Sequence, residues 1–287
     1  MIIRPFAAVA GPEILFDGNR AFADLRTQCE FGPRPPGSEA HARCRDWITS
    51  ACRSLDLETT HQTFFAYVPL IGKTVRLTNI IALHQPRNSR KLMLSAHWDT
   101  RPIADNESDP VRRRMPIVGA NDGASGVAVL LELARLFRWQ PPRVGVVFVF
   151  FDGEDVGTER SPYCLGSQYL ADHLPESLRF EKGVNLDMVG DRDLNIPLES
   201  YSWRHAQPLA LEIWKIGSQL YPEIFRAERG REVFDDHVAF VKRGIPYVNV
   251  IDFDYPYWHT LDDTEDKCSA ASLESVGRVI ARFVLSQ

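Results

Sequence analysis

Five short apolar runs constrain the fold most. Residues 77–83, 91–96, 144–151, 184–188 and 247–251 are rich in β-branched and aromatic side chains and too short for helices of ordinary length. Runs of this kind are strands buried on both faces. Helical spacing of apolar residues fills several gaps between them, over 126–137, 165–174, 209–220 and 272–285. The first of these is apolar on nearly every turn, so it is expected to be well buried. Strand–helix alternation predicts an α/β fold, a three-layer sandwich with a mostly parallel central sheet covered by helices on both faces.

The N-terminal part is helical by the same criterion. Phe22, Leu25 and Cys29 recur at helical spacing and predict a helix over about 19–30. Phe31-Gly32-Pro33-Arg34-Pro35-Pro36-Gly37 breaks it, and Ser38 caps a second helix running to about Leu55, with Glu39 in its first turn. Residues 1–15 have no period and are expected to form a loose arm, and 16–287 one catalytic domain.

Composition narrows the function. With 44% hydrophobic and 25% charged residues, the 287-residue chain can bury a large core without disulfides. Its net charge of −5 does not favour a nucleic-acid partner. No apolar run approaches the roughly 20 residues that span a bilayer. Met1–Phe6 lacks a basic region ahead of an apolar one, so no signal peptide is read. The expected compartment is cytoplasmic, or periplasmic or secreted if the chain has been trimmed. The five cysteines, Cys29, Cys44, Cys52, Cys164 and Cys268, include no C-x-x-C pair, so a thiolate zinc site is not expected and the thiols read as having no role.

Chemistry is expected where four predicted strands end. Ala96-His97-Trp98-Asp99-Thr100 carries an imidazole and a carboxylate two residues apart, which point the same way on a strand. Gly119-Ala120-Asn121-Asp122-Gly123-Ala124-Ser125-Gly126 surrounds one carboxylate with small residues just before a helix. Phe150-Phe151-Asp152-Gly153-Glu154-Asp155 ends an apolar strand in adjacent acids, which repel unless a cation lies beside them. Trp258-His259-Thr260-Leu261-Asp262-Asp263 is the fourth. Singly, each reads as a turn or a structural histidine. Together they place oxygen and nitrogen donors at the carboxyl ends of a sheet, where open α/β sheets carry their sites, and the donor types suit catalytic zinc. The loop 103–116, with Asp105, Glu107 and Asp109 followed by Arg112-Arg113-Arg114, reads as solvated and self-neutralising. His41, His61, His84, His173 and His205 read as structural. His237 reads as a residue behind the site.

In order along the chain, His97-x-Asp99, Gly-x-Asn-Asp122-Gly, Glu154-Asp155, Leu186-Asp187-Met188 and His259-Thr260 resemble the ligand set of the zinc aminopeptidase (peptidase family M28-like) clan. Phe31-Gly32-Pro33-Arg34, Phe150-Phe151-Asp152-Gly153-Glu154, Asp235-Asp236-His237, Arg243-Gly244-Ile245-Pro246 and Trp258-His259-Thr260-Leu261-Asp262-Asp263 are similar to its animal-type glutaminyl cyclases and their bacterial relatives. The match covers about residues 16–280. It implies a zinc-exopeptidase-like fold and one zinc per chain, held by Asp122, Asp155 and His259. It implies Glu154 as general acid and base, Asp187 and Asp235 as catalytic residues sharing its protons, and Trp258 as a substrate-binding wall. His97 and Asp99 would support the site without a second metal. Three positions depart from the animal pattern: Asp155 in place of glutamate, Arg160 in place of a pocket tryptophan and Asn249 in place of histidine.

The implied reaction is glutaminyl-peptide cyclotransfer: an N-terminal glutamine of a peptide or protein closes to pyroglutamate and releases ammonia, with zinc as Lewis acid. Two alternatives stand beside it. A two-zinc aminopeptidase would use His97 and Asp187 for a second metal bridged by Asp122. A silent zinc module that only captures peptide N-termini would have no need of Glu154.

Overall fold

The computed structural model describes residues 14–287. In chain order its elements are α1 (Gly18–Glu30), α2 (Glu39–Ser54), β1 (Glu58–Val68), β2 (Lys73–His84), β3 (Lys91–His97), α3 (Ala124–Trp139), β4 (Gly145–Phe151), α4 (Leu165–Asp172), β5 (Lys182–Asp187), β6 (Ile196–Leu198), α5 (Ser200–Leu220), β7 (Phe225–Arg229), α6 (His237–Val241), β8 (Tyr247–Ile251) and α7 (Ala270–Leu285). The predicted Ser38 cap is present: its side chain accepts from the His41 amide.

Six strands form the central sheet in the order β1-β2-β4-β3-β5-β8. The last four are parallel to one another, as the strand–helix alternation requires. The sheet as a whole is mixed, because β1 and β2 form an antiparallel hairpin and β2 also runs antiparallel to β4. β1 is a strand the apolar runs do not reveal. It is a sheet edge with most side chains exposed, so it lacks the apolar signature of its buried neighbours. A separate two-stranded sheet pairs β6 with β7.

Alternation along the buried strands supplies both faces of the sandwich. Ile80, Leu92, Leu94, Phe148, Phe150 and Val184 pack with α1, α2, α3, α5 and α7 on one side. Met93, Val147, Val149, Phe151 and Tyr247 pack with Leu170 of α4 and Phe240 of α6 on the other. Helix α3 is buried almost all round, matching its unbroken apolar sequence. Of the expected arm over 1–15, residues 1–13 lie outside the described residues; Ile14 within it, and Phe16 just beyond it, lie in the larger core.

Helix α3 approaches the sheet closely through Gly126. A Cβ there would stand 2.3 Å from the Leu186 carbonyl oxygen and 2.7 Å from Ala96 Cβ. Neither neighbour is a flexible side-chain end. Gly126→Ala is therefore expected to cost about 1–3 kcal/mol through overpacking and to lower the melting temperature by several degrees. A melt indistinguishable from the parent's would show that helix and sheet separate freely.

Candidate active site

The strand ends converge as the parallel topology demands. β3 ends in His97, with Asp99 just beyond; β4 runs out into Asp152, Glu154 and Asp155; β5 ends in Asp187. Asp122 precedes α3, Asp235 precedes α6 and His259 follows β8. Loop geometry brings Asp122 inward. Gly123 adopts φ 101°, and a Cβ there would meet the Asp99 carbonyl at 2.8 Å and the His97 ring at 3.1 Å, so only glycine fits. Asp263 then fixes the turn: its carboxylate accepts from the amides of Asn121 at 2.8 Å and Asp122 at 3.1 Å, and from Tyr255 Oη at 2.8 Å.

Asp122, Asp155 and His259 each offer one donor atom, and these lie within 4.8 Å of one another. All three residues are buried. His259 Nε2 is 3.1 Å from Asp155 Oδ1 and 3.7 Å from Asp122 Oδ2. Among the described residues, Asp122 Oδ2 and Asp155 Oδ2 have no hydrogen-bond partner. Two orphaned carboxylate oxygens are costly in a buried site unless a cation is held there. The donor set, two oxygens and one nitrogen, fits a zinc with an open position. His259 itself has φ 56°, a left-handed conformation that a non-glycine residue keeps only when its surroundings demand it.

A second group, His97, Asp122 and Asp187, meets the same spacing. Its contacts differ. His97 Nε2 already lies 3.0 Å from Asp122 Oδ1 and 3.2 Å from Asp187 Oδ1, while its Nδ1, 3.7 Å from Asp99 Oδ1, has no hydrogen-bond partner among the described residues. Asp99 braces the next strand end, accepting from the amides of Glu154 at 3.1 Å and Asp155 at 3.2 Å.

Glu154 stands apart from the trio. Its Oε1 accepts from Cys164 Sγ at 3.2 Å, and Glu154, Cys164 and Asp235 form a third cluster. Burial, reinforced by the nearby charges of Asp155, Asp235 and Asp236 against an opposing His97, pushes the Glu154 carboxyl well above its ordinary range. Burial and the neighbouring Asp187 raise Asp235 to about 6. Groups tuned this way hold and release protons near neutrality. Asp235 accepts from Asn249 Nδ2 at 2.6 Å and Asn185 Nδ2 at 3.1 Å. Asn249 is therefore a buried support under Asp235, while Arg160 is exposed. A cavity of about 280 Å³ opens over these groups and is lined by Glu154, Asp187 and Asp235 with the rings of Phe253 and Trp258. The Trp258 ring sits 3.9 Å from the His259 imidazole and 5.0 Å from Phe253.

Several contributors were not visible in the sequence. Asp105 belongs to the loop read as solvated, yet its Oδ1 lies 3.0 Å from His259 Nδ1. Arg101 joins the two halves, donating to Asp105 Oδ1 at 2.8 Å and Asp155 Oδ1 at 3.0 Å. Against the cost of burial, His259 and Arg101 hold Asp105 well below the usual carboxylate range. The rest of that loop is self-neutralised as expected, with Arg112 on Glu107 at 3.0 Å. Arg34 is fully buried and donates to the carbonyls of Gln28, Gly32, Trp98, Val118 and Gly119, tying together the loops after β3 and before α3. Cys164, read as a thiol with no role, donates to Glu154 Oε1; all five cysteines are free. The histidines read as structural have partners elsewhere. His41 binds Asp152 at 2.8 Å, His61 Thr49 at 2.8 Å and His173 the Tyr169 carbonyl at 2.9 Å; His205 and His84 pack on Tyr201 and Phe137. His237 is buried edge-on to Tyr201, its Nε2 3.6 Å from Glu199.

Residues 79–284 match the model of peptidase family M28. The chain belongs to this family. Among solved M28-like structures it is similar to the Bacteroides thetaiotaomicron glutaminyl cyclase bound to N-acetylhistamine, at 33% identity and a TM-score of 0.90, covering 95% of this chain and 98% of that one. It is also similar to a Zn-dependent exopeptidase from Parabacteroides distasonis, at 32% identity and a TM-score of 0.91, covering 97% of this chain and all of the other. The glutaminyl-peptide cyclotransferase of Drosophila melanogaster is 27% identical over 281 residues, which is 88% of this chain and 77% of that protein. Within the M28 family the chain sits with the bacterial-type glutaminyl cyclases.

Proposed function

We propose that the protein is a glutaminyl-peptide cyclotransferase with one zinc per chain, held by Asp122, Asp155 and His259. The observation that carries this reading is the separation of the two acids at the end of β4. Asp155 is grouped with His259 and Asp122, its Oδ1 3.1 Å from His259 Nε2 and its Oδ2 without a partner among the described residues, while the adjacent Glu154 turns to Cys164 and Asp235. One acid is placed to bind a metal and the other to carry a proton.

Bound zinc would supply Lewis acidity to the side-chain carbonyl of the substrate glutamine. The chain's own residues do the rest. Glu154 takes a proton from the α-amine as it attacks and returns one to the departing ammonia. Asp187 and Asp235 give the α-amine an anionic surround and share the proton held at Glu154. Trp258 and Phe253 wall the cavity, hold the side chain and exclude water. Ring closure is intramolecular, so orientation contributes much of the rate. The substrate class is peptides and proteins with an N-terminal glutamine.

The rival is a two-zinc aminopeptidase. The direct contacts of His97 with Asp122 and Asp187 and the unpartnered oxygens on the other side of Asp122 favour a single ion. Metal content measured together with turnover decides between them. The expected result is one zinc per chain, with cyclisation of a glutaminyl peptide and no release of leucine from a leucyl peptide. Two equivalents, both required for leucine release, would overturn the reading.

A further inference from the structure

The catalytic cavity has a larger neighbour. A hollow of about 500 Å³ lies on the far side of Phe234, between α4 and α6, with Gln168, Asp172, Lys242 and Arg243 among its walls. The two hollows share Phe234 and Asp235. Phe234 is a large apolar side chain left 55% exposed, and the Lys242 ammonium sits 5.0 Å from its ring centroid.

The charges around this hollow are unevenly used. Arg243 is paired with Asp172. The Asp235 carboxylate already accepts from Asn185, Asn249 and the Asp236 amide. Lys242 is exposed, and among the described residues it forms no ion pair with a carboxylate. A third hollow, of about 390 Å³, meets the catalytic cavity through Val233 and Phe253, but Glu228 lines it and its Arg231 faces Asp254 at 3.7 Å. The Phe234 hollow is thus balanced, with Asp172 and Asp235 against Lys242 and Arg243, whereas Glu199, Glu228 and Asp254 outnumber Arg229 and Arg231 in the third; the cation left without an ion pair on the Phe234 side is Lys242.

We infer that the Phe234–Lys242 hollow is the subsite for the second residue of the substrate peptide and favours an acidic side chain there. This rests on the peptide-cyclising reading above. Successive side chains of an extended chain point to opposite sides, and each residue advances about 3.3–3.6 Å. The second side chain thus needs a pocket next to the first but across a wall, and Phe234 is that wall. Its ring can cover the aliphatic stem of a glutamate while Lys242 meets the carboxylate.

The test uses the zinc-loaded full chain with Gln-Glu-Ala, Gln-Ala-Ala and Gln-Lys-Ala amides. A solvent-accessible pair discriminates modestly, so the parent is expected to prefer Gln-Glu-Ala over Gln-Lys-Ala by about two- to fivefold in kcat/KM, expressed in KM. Lys242→Glu should invert that order and leave Gln-Ala-Ala within about twofold of the parent, since Lys242 touches no group that reacts. An unchanged order in Lys242→Glu overturns the subsite. If the parent cyclises none of the three, the functional reading falls instead; calorimetric affinities of Gln-Glu-Ala and Gln-Lys-Ala for the parent and for Lys242→Glu then decide the subsite by themselves, with the same inversion expected.

Discussion

Glu154→Gln is expected to keep its zinc and its melting temperature while losing about two to four orders of magnitude in turnover of a glutaminyl peptide, the usual worth of general acid–base catalysis. The substitution preserves shape. The Glu154 amide stays fixed on Asp99 Oδ1, and the side-chain contact with Cys164 Sγ can be kept by the amide oxygen. Asp122, Asp155 and His259 are untouched. What disappears is a group turned away from the trio, beside the ligand Asp155, and held by burial and neighbouring charge at a proton affinity well above the carboxylate norm. Binding of an imidazole inhibitor should survive, because that contact would be to the metal. Asp155→Asn should behave the opposite way, weakening zinc first and turnover as a consequence, since it removes a charge facing His259 Nε2 and Arg101. Zinc per chain and kcat, measured on both variants, separate the roles. If Glu154→Gln sheds zinc while Asp155→Asn retains it, the roles are exchanged. If both stay active, the end of β4 is not the active site.

The parts of this molecule that the sequence makes legible share a physical cause. β3, β4, β5 and β8 are buried on both faces, so their composition alone marks them, and the site residues follow because strand ends are where parallel topology converges. β1 was hidden because an exposed edge strand needs no apolar run. β6 and β7 were hidden because they are short and pair only with each other. The antiparallel start of the sheet follows from the same omission, since a hairpin is invisible when one of its strands is.

The supports of the site escaped for a different reason. Arg101 and Asp105 act through contacts with Asp155 and His259, 54 and 154 residues away, and no local spacing encodes such a pairing. Asp105 sits among Glu107, Asp109 and three arginines, so its surroundings describe a solvated loop, correctly for Glu107 and Arg112. The signal that could have found it is the isolated Arg101, a cation four residues after the end of β3 and two after Asp99. Arg34 is part of a legible motif, but its work on five backbone carbonyls becomes apparent only once the loops after β3 and before α3 are folded beside it.

His259→Ala is expected to abolish zinc binding and activity together. A site with three protein ligands that loses one cannot hold the ion against a chelator, and the loss cannot be made good locally. Asp105, the nearest group behind His259, is directed at its Nδ1 and tied to Arg101, so it is neutralised and on the wrong side of the ring. His97 is committed to Asp122 and Asp187. The imidazole must be neutral to bind metal, yet here the carboxylates of Asp155, Asp105 and Asp122 outweigh burial and raise it to about 9. That is the mark of a ring surrounded by anions that a cation would otherwise balance. Asp105→Asn then supplies the graded comparison. An amide oxygen can still accept from Nδ1–H but no longer carries charge, and loss of such an orienting partner typically weakens metal affinity by about 10- to 100-fold. The expected order after dialysis against a mild chelator is full zinc in the parent, partial zinc in Asp105→Asn and none in His259→Ala, with turnover of a glutaminyl peptide following the metal. Full zinc in His259→Ala would remove His259 from the ligand set. Parental affinity in Asp105→Asn would reduce the Asp105–His259 contact to a packing detail.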